Sequence, residues 1–210
     1  MPHRRRRFSL RAELGLPIRH KLQLLRAART LRAGGLVAHH TATLPGVAAA
    51  ADNRRAAERL ARFKQRRGPF LLLADSMHRA LSLLVWQSPM LRRMLQHSWP
   101  GPSTFVLPAA GRALSALAAA CFAGRNVAVR VDTDPASRLL ARVAGGLLIS
   151  SSLNRRGGPV QHPGLRLRMR WHRHLSATLA FGEGSGHPSG VFKYRNSRLH
   201  VLRTSPPASN

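Results

Sequence analysis

The sequence of 210 residues is poor in several features, and each absence excludes a class of protein. Cys121 is its single cysteine, which excludes an internal disulfide and suits a reducing compartment. No apolar run approaches the roughly 18 residues that a membrane span requires. The basic start "MPHRRRRFSLR" is followed by "AELGLPIRHK" where a secretory signal would have an apolar core. We therefore expect a cytoplasmic protein with no membrane partner.

Familiar catalytic and metal-binding patterns are also missing. The 11 histidines show neither a Cys/His spacing nor a His-Glu-x-x-His helix, so no metal site is expected. The sequence has no Gly-x-Ser-x-Gly elbow, P-loop or dinucleotide-binding fingerprint. These absences disfavour hydrolase chemistry.

Acidic residues are scarce, with 7 Asp and Glu against 35 Lys and Arg and a net charge of +28. Such a positive field predicts polyanionic partners such as nucleic acid and nucleotides. Lys21, Lys64 and Lys193 are the only lysines, so the preference for arginine reflects genomic base composition as much as function. A basic surface with only weak affinity for polyanions is therefore an alternative.

Apolar periodicity predicts helices alternating with strands. Helices are predicted within 22–33, 52–63 and 132–146, with two shorter ones separated by Pro89. Strands are predicted at 36–40, 69–74, 104–109, 127–131, 147–152, 177–181, 190–194 and 198–202. This order predicts a single α/β domain whose twisted sheet mixes parallel and antiparallel strands and is flanked by helices. We place that domain at residues 21–205, after a basic extension at 1–20 and before a tail at 206–210.

The basic extension and one internal segment allow two interpretations each. The Arg-rich start fits a disordered basic arm, which we expect, or a mitochondrial presequence. In "LRLRMRWHRH", residues 165–174, apolar and basic residues alternate, which predicts a strand with one charged face and leaves a helix open. That face is either solvated or a phosphate-binding edge on which Trp171 stacks a base.

Three polar segments lie beside predicted strands, where α/β sheets place their ligands. They are "HTATLPG" at 40–46, "FKQRRGP" at 63–69 and "SSSLNRRGG" at 150–158. Hydroxyl and amide groups next to glycine can donate to phosphate or carboxylate oxygens, and a Lys-x-Arg pair supplies a point charge beside a planar fork. Each segment taken alone is equally typical of an ordinary loop or surface.

In chain order these segments form a recognisable series. "LRAGGLVAHHTATLPGV", "ARFKQRR", "WPGPSTFVLP", "VAVRVDTDP", "LLISSSLNRRGGP" and "GHPSGVFKYRNSRLHVLR" together resemble the YrdC/TsaC family, the threonylcarbamoyl-AMP synthases. The resemblance covers residues 21–203. It implies a YrdC-like domain with a concave basic cavity.

The resemblance also implies an activity: condensation of L-threonine, bicarbonate and ATP into threonylcarbamoyl-AMP with release of pyrophosphate, for the threonylcarbamoyladenosine modification of tRNA. Mg²⁺ would arrive with ATP, no cofactor would be tightly bound, and other tRNA-modification proteins would act with tRNA in the later step. Lys64 and Arg66 would be the catalytic residues. The implied ATP-binding residues are Lys64, Arg66, Thr104, Ser152, Asn154, Ser189 and Arg203, and the implied threonine-binding residues are Thr41 and Arg130.

Departures from the family pattern concentrate on the threonine side. His40, Ala42 and Pro45 replace proline, glutamate and an aromatic residue in the first loop. The other departures are Arg67 and Asp132 for proline, Leu153 for alanine and His187 for asparagine. The bulkier Leu153 could fill part of the ligand pocket. These changes leave open a non-catalytic YrdC-like module that binds structured, double-stranded RNA during RNA maturation, or less directly a ribosome- or nucleoid-associated structural protein.

Overall fold

A computed structural model gives the structure of the chain and describes residues 16–182, 184–195 and 198–204. Residues 1–15 of the predicted basic extension, and the tail at 206–210, lie outside these ranges. The elements in chain order are α1 (Ile18–Arg32), β1 (Leu36–His39), β2 (Gly46–Ala50), α2 (Arg54–Lys64), β3 (Leu71–Ala74), α3 (Met77–Leu81), α4 (Pro89–Ser98), β4 (Ser103–Pro108), α5 (Gly111–Ala116), a 3₁₀ turn (Ala119–Cys121), β5 (Phe122–Ala123), β6 (Asn126–Val131), α6 (Pro135–Val143), β7 (Leu147–Ser152), α7 (Leu165–Arg170), β8 (Leu175–Thr178), β9 (Gly190–Arg195) and β10 (Arg198–Arg203). The domain boundary placed after residue 20 falls inside α1.

Side-chain caps fix where several helices begin. The Asn53 side chain accepts the Ala56 N–H at 3.0 Å and starts α2. Asp134 accepts two backbone N–H groups at the start of α6, where Pro135 occupies the first turn. These orphan N–H groups have no partner within their own helix, so an oxygen at the cap position stabilises each helix start. Both starts agree with the sequence prediction.

The strands form one mixed sheet. Among the described residues its order is β10-β9-β4-β6-β3-β7-β2-β1-β8, with β5 paired to β6. The pairs β3–β6, β4–β9 and β1–β8 are parallel, and the other pairs are antiparallel. The predicted α/β class with a mixed sheet and flanking helices is confirmed.

The two faces of the sheet are covered to different extents. On one face α2, α4 and α7 pack over most of the sheet. On the other, α1 and α6 cover only part of it, over β1, β2, β3, β7 and β8. Side chains alternate between the two faces of a sheet along each strand. Polar side chains of β1, β4, β6 and β7 therefore lie on this second face, in the part that the two helices leave uncovered. The uncovered part of that face is where a ligand can reach the sheet.

Trp99 braces the entry into β4. Its ring is almost fully buried and packs edge-on against Phe105 with the centroids 5.5 Å apart. Its indole N–H donates to the Ser103 carbonyl at 2.8 Å. The indole therefore satisfies its polar group within the turn while the ring joins the core.

The strand interpretation of 165–174 is wrong, and the helix that the sequence left open is right for residues 165–170, which form α7. A strand would place Leu165, Leu167 and Met169 on one face, yet Leu165 and Met169 are 63% and 66% exposed while Leu167 is buried. Leu167 and Trp171 are four residues apart, which is one helical turn, and Trp171 packs edge-on against Phe63 at 5.1 Å. The i,i+4 pair decides the structure, and the alternation is incidental.

Strand β2 was not predicted. Its sequence "GVAAA" has no alternation and little β propensity, since alanine favours helices. All five residues are buried because β2 lies between β1 and β7. Small side chains suit a central strand that helices cover on both faces.

No helix within the described ranges is long and apolar enough to cross a bilayer.

Candidate functional site

A cavity of about 190 Å³ lies on the uncovered part of the second face. It is lined by Thr41, Thr43, Leu44, Gly46, Arg66, Leu71, Arg130, Ser150, Ser151, Ser152, Pro188, Ser189 and Arg203. These residues come from segments far apart in sequence, and none of them carries a carboxylate. A larger groove of about 560 Å³ beside Trp86 contains none of the predicted site residues. The smaller cavity is therefore the candidate site.

Six of the nine predicted site residues line this cavity: Thr41, Arg66, Arg130, Ser152, Ser189 and Arg203. The other three do not line the cavity but contact residues that do or their neighbours. The Lys64 ammonium donates to the Ser152 carbonyl at 2.7 Å. Thr104 Oγ1 lies 3.1 Å from Ser189 Oγ, and Ser152 Oγ donates to Asn154 Oδ1 at 2.9 Å. All nine residues thus belong to one connected site.

Lys64 supports a loop of the cavity wall. Its ammonium also donates to the carbonyl and to Oδ1 of Asn154, each at 2.5 Å. All three of its N–H groups are thereby used by residues 152 and 154. Burial, and after it the charge of Arg66, lower the pKa of Lys64 to about 8. In this structure Lys64 holds the shape of the loop that follows β7 and is turned away from the cavity.

Two exposed arginines form the cationic rim of the cavity. Gln65 ends α2 with a left-handed φ of 52°, which turns Arg66 toward the cavity mouth. The Arg66 guanidinium donates to the Pro69 carbonyl at 2.9 Å and stacks 4.3 Å from the Phe70 ring. Arg203 donates to the Ser189 carbonyl at 2.9 Å and to Ser189 Oγ at 3.2 Å. Each guanidinium has further N–H groups with which to bind an anion.

A buried ion pair forms the floor. Arg130 Nη2 lies 2.6 Å from Asp132 Oδ2, with the two side chains 3% and 1% exposed. Arg130 Nη1 also donates to Thr43 Oγ1 at 2.8 Å. Asp132 Oδ1 accepts the backbone N–H groups of Ala42 and Asp134, each at 2.9 Å. The floor therefore joins the loop after β1 to the end of β6.

Comparison with known proteins identifies the family. Residues 29–205 match the model of the Sua5/YciO/YrdC family, which is described as telomere recombination. The chain belongs to this family. It is 35% identical over 147 residues to the threonylcarbamoyl-AMP synthase of Nitrosococcus oceani, covering 68% of this chain and 76% of the relative. It is 37% identical over 136 residues to the enzyme of the same name from Chromohalobacter salexigens, covering 63% of this chain and 71% of the relative.

Solved structures agree with this fold. The Sua5 protein of P. abyssi, complexed with L-threonine, superposes with a TM-score of 0.78 at 23% identity, covering 89% of this chain and 54% of that one. The YciO protein of E. coli superposes with a TM-score of 0.74 at 20% identity, covering 89% of this chain and 90% of that one. The predicted Sua5/YciO/YrdC fold is thereby confirmed.

Two departures from the Sua5/YciO/YrdC pattern meet in space. Ala42 stands where the resemblance implies a glutamate, and Asp132 stands where it implies a proline. The Ala42 N–H donates to the Asp132 carboxylate. A carboxylate at the end of β6 therefore contacts the loop that follows β1. Proline at 132 could not pair with Arg130, whereas aspartate neutralises that buried cation. The two departures are therefore structurally linked.

Leu153 does not fill the cavity. Its side chain is fully buried in the main hydrophobic core and does not line the cavity. Its backbone N–H donates to the Pro45 carbonyl at 2.8 Å, and its carbonyl accepts the Gln161 N–H at 2.7 Å. The side chain points inward because the core accepts a leucine there. The expectation that Leu153 narrows the ligand pocket is wrong.

Sequence reasoning missed His39 and Ser150 as a pair. His39 Nε2 lies 3.2 Å from Ser150 Oγ, and Nδ1 lies 2.8 Å from the His40 carbonyl oxygen. Burial lowers the pKa of His39 to about 4, so the ring is neutral at physiological pH. The signal in the sequence was a histidine two positions after the buried Val37 in the same strand, on the face where Ser150 also lies. Within the described ranges no three His, Cys, Asp or Glu side chains cluster to hold a metal.

Proposed function

We propose that this protein is a threonylcarbamoyl-AMP synthase that forms threonylcarbamoyl-AMP from L-threonine, bicarbonate and ATP. The observation that carries the proposal is the convergence of six predicted residues on one basic cavity in a member of this family. Curated relatives with that name match about two thirds of the chain. These relatives favour the synthase over the RNA-binding alternative.

The reaction makes one bond at carbon and one at phosphorus. The threonine nitrogen bonds to the bicarbonate carbon with loss of water, and a carbamate oxygen then bonds to the α-phosphorus as pyrophosphate leaves. Negative charge spreads over the phosphate oxygens in that second step, so catalysis depends on positioning and on fixed positive charge. We assign the charge to the rim residues Arg66 and Arg203.

We assign the nucleotide contacts to polar residues in and behind the lining of the cavity. Ser152 and Asn154 would hold nucleotide oxygens on a loop that Lys64 fixes, and Thr104 would orient the Ser189 hydroxyl. The cavity is smaller than the roughly 300 Å³ at which ligand pockets begin. We therefore place threonine and the reacting phosphates inside it and the nucleoside at its open rim.

Mg²⁺ would be carried by the phosphates. Of the residues that the structure describes, none that lines the cavity has a carboxylate, and Asp132 is already paired with Arg130. Magnesium commonly binds through substrate phosphates and keeps several waters. We propose no tightly bound cofactor.

The test is a reconstitution with purified protein. With ATP, L-threonine and bicarbonate together, it should release pyrophosphate and form threonylcarbamoyl-AMP detected by mass spectrometry; omission of any one substrate should abolish product. Arg66→Ala should lower the rate at least tenfold, since charge-assisted contacts are each worth about that much. Arg67→Ala is the matched control, because Arg67 is adjacent in sequence but does not line the cavity. No product under conditions where an established synthase works would refute the proposal.

The product serves tRNA modification, so tRNA and other modification proteins are proposed downstream partners in the cytoplasm. Direct binding of structured RNA is the second candidate, favoured by the net charge of +28. It predicts affinity that falls by orders of magnitude from low to physiological salt. A catalytically inactive protein with such binding would favour this candidate.

A further inference from the structure

Three of the buried hydroxyl groups that line the cavity, those of Thr41, Thr43 and Ser150, form what we call the hydroxyl wall. A hydroxyl has one proton to donate and two lone pairs that accept. Whether the wall binds a donor or an acceptor on a ligand therefore depends on where its three protons go. The surrounding hydrogen bonds determine this for each of them.

His39 determines the proton of Ser150. The His40 carbonyl can only accept, so Nδ1 of His39, 2.8 Å away, carries the ring proton. The ring is neutral, which leaves Nε2 without a proton. Ser150 Oγ, 3.2 Å from Nε2, must then donate to it. The Ser150 hydroxyl thus turns its lone pairs toward the cavity.

A chain of hydrogen bonds determines the other two protons. Thr41 Oγ1 donates to the Leu44 carbonyl at 2.8 Å, because a carbonyl only accepts. Thr43 Oγ1, 3.0 Å from Thr41 Oγ1, must therefore donate to Thr41. It also accepts from Arg130, whose charge the buried Asp132 balances. Neither threonine retains a proton for a ligand.

The hydroxyl wall consequently offers a ligand no proton, and its free lone pairs are on Thr43 and Ser150, because Thr41 Oγ1 also accepts the Thr43 backbone N–H at 3.2 Å. The charged donors that line the cavity are the guanidinium groups of Arg66, Arg130 and Arg203. Gly46 keeps the wall accessible, since a Cβ there would lie 2.8 Å from Ser150 Oγ and 2.9 Å from His39 Nε2. A carboxylate or phosphate would find no proton at the wall, whereas an amino group would find acceptors. An amino acid fits with its nitrogen at Ser150 and its carboxylate toward the arginines.

We propose that His39 is a positioning residue that fixes Ser150 as the hydrogen-bond acceptor for the amino group of the amino-acid substrate. The identity of that substrate as L-threonine rests on the proposed function. The orientation places the nucleophilic nitrogen beside Ser150, on the same strand as Ser152. His39 acts through Ser150 and does not itself touch the substrate.

The test compares binding of L-threonine with binding of 3-hydroxybutyrate, which lacks only the amino group, by calorimetry without ATP. Wild-type protein should prefer L-threonine. His39→Phe, which removes the acceptor, and Ser150→Ala should each weaken L-threonine binding about tenfold or more and leave 3-hydroxybutyrate binding unchanged. The double variant should bind L-threonine no more weakly than Ser150→Ala alone, because the two residues act in series.

His39→Gln is the rescue variant, since a neutral amide also offers one acceptor oxygen and N–H donors. It should bind L-threonine within about threefold of wild type. His97→Phe, at an exposed histidine on α4, is the matched control and should bind as wild type. Circular dichroism and melting of each variant verify folding.

Three results would overturn the proposal: equal weakening of both ligands by His39→Phe or Ser150→Ala, no rescue by glutamine, or no preference of the wild type for L-threonine. The outcome is separable from the proposed function. Selective L-threonine binding without adenylate formation would refute the synthase and leave this orientation standing. If the protein forms the adenylate and His39→Phe does not change the KM for L-threonine, the synthase stands and this orientation is refuted.

Discussion

Removing the Asp132 carboxylate should destabilise the whole domain. Asp132→Ala leaves the Arg130 guanidinium buried without a counter-charge and removes the acceptor of two backbone N–H groups. Breaking a buried pair by deleting one partner costs about 3–5 kcal/mol. A domain of this size has a total stability of about 5–15 kcal/mol, so the loss is a large fraction.

The two alternatives at position 132 separate charge from hydrogen bonding. Asp132→Asn keeps an oxygen for the Ala42 and Asp134 N–H groups but removes the charge, so its loss of stability should be smaller than that of alanine. At about 2–4 °C per kcal/mol, the melting temperature should fall by roughly 6–20 °C for Asp132→Ala. Differential scanning calorimetry measures both variants.

An exposed ion pair supplies the matched control. Glu58 pairs with Arg54 at 3.1 Å on α2, where the side chains are 50% and 89% exposed. Solvent screens this pair, so Glu58→Ala should cost at most about 1 kcal/mol. A melting temperature of Asp132→Ala within about 2 °C of wild type would show that the stability of the domain does not depend on the buried pair.

Three further changes test other parts of the site. Lys64→Met should raise the KM for ATP at least tenfold, because three hydrogen bonds to the 152–154 loop are lost. Steady-state kinetics in which only the KM for threonine changed would contradict this. Thr104→Val should lower kcat/KM for ATP less than tenfold, since one hydroxyl contact to Ser189 is lost; an inactive but folded variant would contradict an indirect role. Denaturant unfolding of wild type and His39→Gln should show a stability difference that is nearly constant above about pH 7.5 and shifts against the wild type by about 3 kcal/mol as the pH falls to 4. The sign follows because the pKa of His39 is lowered by burial, so protonation favours the unfolded chain; Asp134, whose pKa burial raises to about 6, has the opposite effect but is present in both proteins.

Local chemistry explains which elements could be predicted. The Asp134 and Pro135 pair defines the start of α6, and the glycines at 145 and 146, both with positive φ, follow its end. By contrast, "GVAAA" became β2 only because β1 and β7 lie on either side of it. Segment 165–170 became α7 because Leu167 and Trp171 reach the core one turn apart. Tertiary context decided both of these.

The sequence indicated which residues meet around the cavity, but not the hydrogen bonds among them. The order of the motifs indicated Thr41, Arg66, Arg130, Ser152, Ser189 and Arg203, which the fold brings to one cavity. The direction of Lys64 could not be predicted, because it depends on carbonyls 88 and 90 residues away. The link between Ala42 and Asp132 joins two loops in the same way. Proton positions in the hydroxyl wall combine local bonds such as Thr41 to Leu44 with long-range ones such as His39 to Ser150.

The structure of the protein with L-threonine and a non-hydrolysable ATP analogue tests the central claim most directly. We predict the analogue's phosphates within hydrogen-bond distance of Arg66 and Arg203, the ribose and base outside the rim, and the threonine nitrogen at Ser150. A nucleotide bound instead in the groove beside Trp86, with the cavity of Thr41 and Ser189 empty, would contradict the account.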